Sequence, residues 1–380
     1  MDEVVASAPG KVVLFGEHAV VYGHPAIAAS IAQRTTVTLR PVEGSGINIG
    51  RVQVNPARHP HLASLMGRLW DASTAPGLDL SVDSDVPRGA GLGSSAAFAV
   101  ASAMALRAAR GRWVDPVTGA WHEGYASDGS ESELFNGAVR TDQRTEQSVK
   151  VYGQAAVSAE EASLLGHVGE ALSQEGRASP MDTMTSAYGG LVMLSNRVED
   201  ESTWVMKRTM PMGGDQRTWD LHHLGDLRLE DGLSLVVGHT GINAPTTNMV
   251  AGVASRRASD PGIDEAMQAI AGLVHRGLNA LKTGDAEALG RTMTENHLLL
   301  RRIGVSHPKL EALVSAALPT SLGAKLTGAG GGGCMIALTR DAKATSEAIE
   351  LAGGRTWITA LGTPGARLEA CPEGGLGRVD

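Results

Sequence analysis

The chain has 380 residues, which is enough for two domains of ordinary size, each with its own hydrophobic core. Its 42% hydrophobic and 19% charged residues are typical of a folded globular protein rather than a disordered one. A net charge of −8 argues against nucleic-acid binding through bulk positive charge, so an anionic ligand would need local cations.

The cysteines and the apolar segments indicate the cellular compartment of the protein and whether it spans a membrane. Cys334 and Cys371 are too few for a disulfide framework and lack metal-ligand spacing, which favours a reducing cytoplasm. The amino terminus lacks the basic start of a signal peptide. The most apolar long window, residues 91–109, consists mostly of Ala, Ser and Gly and predicts a core helix rather than a membrane span.

Hydrophobic patterns predict strands and helices in alternation along the chain. Strands are expected at residues 4–8, 12–15, 35–40, 78–86, 191–194 and 233–237, and on both sides of a glycine run within residues 325–338. Helices are expected at residues 96–109, 158–174, 264–282, 286–303 and 309–317. The alternation predicts α+β domains that meet near Asn196. Residues 111–150 have little apolar periodicity and predict an exposed insertion or a mobile flap.

The stretch that is most informative about function spans residues 87–97 and contains Gly89, Gly91 and Gly93 at alternate positions. Glycines let the backbone approach a ligand where any side chain would block it. The stretch leads into a helix, whose first turn offers unpaired N–H groups and the positive end of a dipole. This arrangement predicts a phosphate site, although no lysine follows the glycines as it would in a P-loop.

Two other glycine-rich stretches accompany it. Residues 8–23 include Pro9-Gly10-Lys11 and Gly16-Glu17-His18, and residues 325–334 include a run of glycines. In this order and spacing the three stretches resemble the GHMP family of small-molecule kinases, over nearly the whole chain. The first stretch, together with residues 179–183 (Ser-Pro-Met-Asp-Thr), is similar to the mevalonate kinases of that family in their archaeal form.

The resemblance implies a fold and an activity. The fold is α+β with two GHMP kinase domains: one like ribosomal protein S5 domain 2 at residues 1–195, and a ferredoxin-like α/β sandwich at residues 196–380. The activity is ATP-dependent phosphorylation of the 5-hydroxyl of mevalonate for isoprenoid precursors, with Mg²⁺ as cofactor. ATP and mevalonate are the expected partners, without nucleic acid or membrane, and a homodimer in the cytoplasm is a possible assembly.

The resemblance also implies catalytic residues. A kinase must bring a hydroxyl to the γ-phosphate and neutralise the charge that spreads in the transition state. Asp182 corresponds to the catalytic aspartate, which acts as general base or orients the nucleophile. Lys11 would lie beside it, contact the γ-phosphate and the reacting hydroxyl, and supply the cation that the glycine loop lacks.

Ligands for metal, nucleotide and substrate follow from the same resemblance. Mg²⁺ binds oxygen atoms and keeps several waters, and its implied protein ligands are Ser95 and Glu170. Glu170 lies one residue farther from Asp182 than in many relatives, so Glu175 is the alternative. The nucleotide is expected to contact Gly89, Gly91, Leu92, Gly93, Ser94, Ser95 and Gly330. The substrate is expected to contact Glu17, His18 (near its hydroxyl or its carboxylate), Tyr188 and Ala329.

Two other functions remain open. The first is another GHMP kinase, acting on phosphomevalonate, galactose or homoserine. A doubly charged phosphate substrate would require additional Lys or Arg residues, and the motifs supply only Lys11. The second is a non-catalytic GHMP-fold protein that binds a ligand, against which stands the joint presence of Lys11, Ser95, Glu170 and Asp182.

Overall fold

The computed structural model describes residues 3–50, 52–70, 75–119, 146–173, 178–212, 215–225, 232–243 and 246–376. The strands are β1 (Val4–Phe15), β2 (Ala26–Pro41), β3 (Gly46–Ile49), β4 (Val52–Gln53), β5 (Gly77–Ser84), β6 (Arg112–Val114), β7 (Val149–Val151), β8 (Leu191–Ser195), β9 (Trp204–Met212), β10 (Asp215–Gly225), β11 (Ser234–His239), β12 (Gly323–Thr327), β13 (Cys334–Thr339), β14 (Arg355–Thr359) and β15 (Arg367–Ala370). The helices are α1 (Pro60–Leu69), α2 (Ser94–Arg110), α3 (Ala159–Ser173), α4 (Met181–Tyr188), α5 (Thr246–Ser259), α6 (Gly262–Thr283), α7 (Ala286–Arg302), α8 (Pro308–Ala317) and α9 (Ala342–Leu351). The predicted α+β class is confirmed.

The larger sheet has the strand order β4-β3-β5-β2-β8-β10-β9, with β1 paired to β2 and β15 paired to β1. Its long central strands are rich in Ala, Val, Ile and Thr, which suit a pleated surface that is buried on one or both faces. Helix α2 packs against β1, β2, α3 and α4. The many alanines of α2 allow this close approach, and its residues 96–109 are buried apart from the partly buried Phe98.

The smaller sheet is antiparallel throughout, with the order β12-β13-β11-β14. Helices α6 and α7 begin with acidic residues in their first turns and end with basic ones, as the helix dipole favours. Apolar residues of α6, α7 and α8 form a core with the inner face of this sheet. The second half of the chain therefore forms a two-layer unit in which helices cover one sheet.

The first strand differs from the prediction of two separate apolar segments. β1 runs without a break from Val4 to Phe15, and its pairing with β2 shifts register between Pro9 and Lys11. Such a bulge redirects a side chain within a continuous strand. Gly10 is required there, because a Cβ on it would lie 2.8 Å from the Leu92 carbonyl oxygen.

The predicted domain boundary after residue 195 requires a correction. β9 and β10 pair with β8 and therefore continue the larger sheet to Gly225. The end of the chain also returns to this sheet, because β15 pairs antiparallel with β1. Arg34 secures the returning segment by donating hydrogen bonds to the carbonyl oxygens of Pro364 (2.8 Å) and Gly365 (2.7 Å).

The predicted insertion at residues 111–150 lies partly within the described residues. Its two ends form an antiparallel ribbon of β6 and β7, whereas residues 120–145 lie outside the described part of the chain. Among the helices of the described residues, none has the length and the apolar character that a membrane crossing requires.

Candidate active site

The predicted phosphate loop leads directly into α2. Gly89, Gly91 and Gly93 have φ angles of 67°, 80° and 73°, a region that glycine occupies without strain. Gly93 is the N-cap of α2, and no side chain caps the first turn. The first turn also contains no acidic residue. The amide groups and the positive dipole end of α2 therefore remain available to an anion.

The cation that the loop lacks comes from the bulge in β1. Lys11 donates its backbone N–H to the Leu92 carbonyl at 2.9 Å, which ties the bulge to the glycine loop. Its Nζ lies 3.0 Å from Oδ2 of Asp182, and only 6% of the Lys11 side chain is exposed. Asp182 lies in the first turn of α4, where the helix dipole stabilises a carboxylate. A buried ammonium and a partly exposed carboxylate thus face the same space.

A hydroxyl and a carboxylate meet at the other side of the phosphate loop. Ser95, in the first turn of α2, donates its Oγ hydrogen to Oε2 of Glu170 on α3 at 2.9 Å. Both groups are hard oxygen donors of the kind that Mg²⁺ accepts. Glu175, the alternative ligand, lies outside the described residues.

His18 has an unusual backbone and a specific partner. Among the residues that the structure describes, it is the one non-glycine residue with positive φ, at 60°. Its Nε2 lies 2.9 Å from the carbonyl oxygen of Ala329, in the third glycine-rich stretch. Burial lowers the pKa of His18 to about 4, the Ala329 hydrogen bond opposes this, and the Arg256 guanidinium adds to it. The imidazole is therefore neutral at physiological pH.

The structure shows a buried ion pair that the sequence analysis did not identify. Lys325 Nζ contacts Oε1 of Glu17, and Asn296 Nδ2 donates to Oε2 of Glu17 at 3.0 Å. Lys325 also donates to the carbonyl oxygens of Val13 and Leu326. The available signal was a lysine between the apolar residues Ala324 and Leu326 of β12. Both oxygens of Glu17 are thus engaged inside the protein, which limits direct substrate contact through this carboxylate.

These elements enclose one cavity of about 330 Å³ between the two sheets. Most of the residues predicted for the site line it: Lys11, Glu17, His18, Gly89, Gly91, Gly93, Ser94, Ser95, Glu170, Asp182, Ala329 and Gly330. Thr246 and Val250 of α5 also line it, without having been assigned a role from the sequence. The structure therefore brings together all three glycine-rich stretches.

Two predicted residues do not line this cavity. Leu92 contributes through its backbone carbonyl, while its side chain is buried in the core. The prediction that Tyr188 lines the substrate cavity is not met, because its ring packs against His223 with the ring centroids 5.4 Å apart. Tyr188 follows Asp182 by six residues, so it projects about 120° away from it around α4.

The comparisons with known proteins agree with this geometry. Family models for the GHMP kinases N terminal domain and the GHMP kinases C terminal match residues 61–120 and 278–353. The mevalonate kinase of Pyrococcus furiosus is 31% identical, over 97% of this chain and 98% of its own. The mevalonate kinase of Methanothermobacter thermautotrophicus is 32% identical, over 87% of this chain and 89% of its own.

A solved structure supports the same assignment. The L. major mevalonate kinase in complex with R-mevalonate is 25% identical and has a TM-score of 0.63, covering 94% of this chain and 95% of its own. The chain therefore belongs to the GHMP kinases and, within them, to the mevalonate kinase family.

Proposed function

We propose that this protein transfers the γ-phosphoryl group of ATP to the 5-hydroxyl of mevalonate, giving 5-phosphomevalonate for isoprenoid precursor synthesis. The observation that carries the proposal is the 3.0 Å contact between Lys11 and Asp182, opposite the open N-terminus of α2. The names of the relatives support mevalonate as the substrate.

Asp182 and Lys11 are assigned the chemical step. The carboxylate of Asp182 would orient the attacking hydroxyl and accept its proton as the new oxygen–phosphorus bond forms and the bond from the γ-phosphorus to the bridging oxygen of the departing ADP breaks. The Lys11 ammonium would neutralise charge on the transferred group, and its low exposure strengthens that interaction. The amide groups at the start of α2 would hold the other phosphate oxygens.

Ser95 and Glu170 are assigned to Mg²⁺. Their oxygen atoms are close enough to share one ion, and the described residues contain no group of three or more His, Cys, Asp or Glu side chains that could hold a metal by themselves. Mg²⁺ commonly takes one or two protein ligands and completes its shell with phosphate oxygens and water, so the donor set fits. When bound, the ion would neutralise charge on the β- and γ-phosphates.

The remaining cavity wall matches mevalonate better than a phosphorylated substrate. Val20, Val21 and Val250 give it an apolar side that suits the methyl group and the carbon chain. Lys11 is the only Lys or Arg among the described lining residues, and Asp182 already pairs with it. A doubly charged phosphate in the substrate would therefore lack a counter-charge.

The test is a substrate panel on the purified protein. ATP with Mg²⁺ is supplied together with mevalonate, phosphomevalonate, galactose or homoserine, and the phosphorylated products are identified by mass spectrometry. The expected result is turnover of mevalonate with a kcat/KM well above the others. Absence of mevalonate turnover by folded, ATP-binding protein would refute the proposal.

Assembly and location are also proposals. The free thiols of Cys334 and Cys371 support a reducing cytoplasm. A homodimer stays a prediction from the family resemblance, and light scattering after size-exclusion chromatography would measure it.

A further inference from the structure

The part of β1 that reaches the cavity has a second edge to which no strand is paired within the described residues. β2 pairs with one edge of β1, and β15 pairs with the other edge only at residues 5–7. Lys11 and Val13 lie farther along, between two register shifts in the pairing with β2, and both line the cavity. Their backbone groups on the second edge therefore need partners other than a strand.

The side chain of Thr327 takes the place of a strand at Val13. Val13 donates its backbone N–H to Oγ1 of Thr327 at 2.9 Å, and the same hydroxyl donates to the Val13 carbonyl at 3.0 Å. The two bonds reproduce the exchange of N–H and C=O contacts that an antiparallel neighbour would make. Thr327 is the last residue of β12. One hydroxyl thus joins the smaller sheet to the larger one inside the protein.

Lys11 lies between this contact and the glycine loop. Its backbone N–H donates to the Leu92 carbonyl at 2.9 Å, and Val13 follows two residues later. Two anchors so close together fix the backbone from which the Lys11 side chain extends. The Nζ atom of that side chain lies 3.0 Å from Oδ2 of Asp182. Loss of the Thr327 anchor would therefore loosen one side of the segment that carries the ammonium.

The hydroxyl of Thr327 is committed to the backbone rather than to a ligand. A hydroxyl has one hydrogen to donate, and that hydrogen is used by the Val13 carbonyl. Lys325 also donates to this carbonyl, at 3.3 Å, but an ammonium cannot accept the hydrogen bond that the Val13 N–H offers. Removal of the hydroxyl would leave this buried N–H without its acceptor, which is costly.

We propose that Thr327 is a positioning residue for phosphoryl transfer, whose hydroxyl holds residues 11–13 where the Lys11 ammonium meets both Asp182 and the transferred group. The inference rests on the proposed function, which assigns Lys11 to the chemical step. Thr327 then affects kcat without contact between its hydroxyl and the substrate. A displacement of about 1 Å can cost about 100-fold in rate, so the loss of this anchor is measurable.

Three variants separate positioning from stability. Thr327→Val removes the hydroxyl and keeps a similar shape, whereas Thr327→Ser keeps the hydroxyl. Thr359→Val is the matched control, because Thr359 is also a buried threonine of the smaller sheet that binds the backbone of the larger one. Its Oγ1 accepts from the N–H of Ala32 on β2 at 2.8 Å and donates to the Ala360 carbonyl at 3.1 Å. Thr359 lies outside the cavity lining.

Thr327→Val is expected to lower kcat with mevalonate by about 10- to 100-fold, with a much smaller change in the KM for mevalonate. Thr327→Ser should restore most of the rate. Thr359→Val should lower the free energy of unfolding about as much as Thr327→Val but leave kcat unchanged. Equal losses of kcat in the two valine variants would assign the effect of Thr327 to stability and overturn the proposal.

A double variant tests whether Thr327 acts through Lys11. When Lys11→Met is already present, Thr327→Val should cause little further loss of kcat, because both changes remove the action of one ammonium. If the two losses multiplied instead, Thr327 would act by another route and the proposal would fail.

Amide hydrogen exchange tests the position of Lys11 without the reaction. In Thr327→Val the amide hydrogens of Lys11 and Val13 should exchange at least about 10-fold faster, and in Thr359→Val their rates should not change. Unchanged exchange at Lys11 in Thr327→Val would overturn the inference even in an active enzyme. If the unaltered protein did not phosphorylate mevalonate, the proposed function would fail, whereas the exchange rate of Lys11 would still decide whether Thr327 holds it.

Discussion

Glu17 and Lys325 form an ion pair inside the protein, with 3% of Glu17 exposed and none of Lys325. The pair joins the turn after β1 to β12 and thereby fixes the first glycine-rich stretch against the third. Burial lowers the pKa of the Lys325 ammonium, and the negative charge of Glu17 opposes that effect. The position of His18, next to Glu17, therefore depends on a cation that has no contact with solvent.

Lys325→Met is expected to destabilise the fold by about 3–5 kcal/mol, because it leaves the Glu17 carboxylate buried without a counter-charge. Urea unfolding monitored by circular dichroism measures the change. The double variant Glu17→Gln with Lys325→Met should recover part of the loss. Arg276→Met is the matched control, since it breaks the exposed pair with Glu295 and should cost less than about 1 kcal/mol. Equal losses in Lys325→Met and Arg276→Met would contradict the prediction.

Asp182→Asn should lower kcat by about 10²–10⁴-fold, because the amide cannot accept the proton of the attacking hydroxyl. Its affinity for a non-hydrolysable ATP analogue, measured by calorimetry, should stay within a few-fold of the original. Asp83→Asn, at an exposed position on β5, is the control and should leave both quantities unchanged. Nearly full activity in Asp182→Asn would remove this residue from the chemical step.

Glu170→Gln should raise the free Mg²⁺ concentration required for half-maximal activity by about 10–100-fold, because an amide is a weaker ligand for a hard cation. Activity measured over a range of Mg²⁺ concentrations at a fixed ATP concentration gives this half-maximal value. Glu175→Gln distinguishes the two candidate ligands and should leave the magnesium requirement unchanged. The opposite pattern would transfer the assignment to Glu175.

Gly93→Ala is expected to reduce both kcat and the free energy of unfolding. A Cβ there would lie 2.7 Å from Cγ of Lys11 and would require a φ of 73° from alanine. Lys11 would thus be displaced from Asp182. Gly272→Ala is the control, since that exposed helix position has open space around a Cβ and should gain about 0.5–1 kcal/mol. Unchanged kcat in Gly93→Ala would argue against a fixed position for Lys11.

Stability should fall as the pH drops from about 6.5 towards 4. Burial lowers the pKa of His18, His167 and His297 to about 4 in the folded protein. The unfolded chain takes up protons near pH 6.5, where the folded protein does not, so each histidine removes up to about 1.4 kcal/mol per pH unit. Urea unfolding at pH 7, 6 and 5 measures the slope.

The carboxylate of Glu199 also contributes to the pH dependence of stability, but at a lower pH than the histidines. Burial raises the pKa of Glu199, but hydrogen bonds from Arg197, His275 and Ser195 outweigh burial and lower it to about 2. Its contribution to stability is present above the unfolded value near 4.5 and is lost below it. A loss of stability between pH 6.5 and 5 is therefore assigned to the histidines. His18→Asn should make the free energy of unfolding depend less steeply on pH in this range. Constant stability across that window would contradict the prediction.

The sequence supports prediction of the residues that lie in local motifs. Lys11, Ser95, Glu170 and Asp182 could be chosen because the glycine-rich stretches and residues 179–183 resemble those of a kinase family, and the structure brings the four residues to one cavity. The direction of the Tyr188 side chain could not be predicted, because it depends on the residue at which α4 begins and on packing against the ring of His223.

The resemblance predicts the contact of Lys11 with Asp182, but contacts between distant residues to which the resemblance assigns no role could not be predicted. The Glu17–Lys325 pair joins residues 308 positions apart. The sequence itself does not show whether a given lysine is buried or exposed. The pairing of β15 with β1 depends on the path of the whole chain, because a short strand pattern does not specify its partner. Local motifs therefore identify the residues of the candidate site, whereas long-range packing determines which other residues hold them in position.

The return of β15 to β1 bears on how the protein is made. Ser7 on β1 donates to Glu369 at 2.6 Å across a separation of 362 residues, so β1 acquires this neighbour only after residues 367–370 have been synthesised. Until then, residues 5–7 of β1 lack this partner and are open to pairing with another chain. Lys11, which we propose for the chemical step, lies on that same strand. A chain that stops before β15 would therefore leave residues 5–7 of β1 exposed to pairing with another chain.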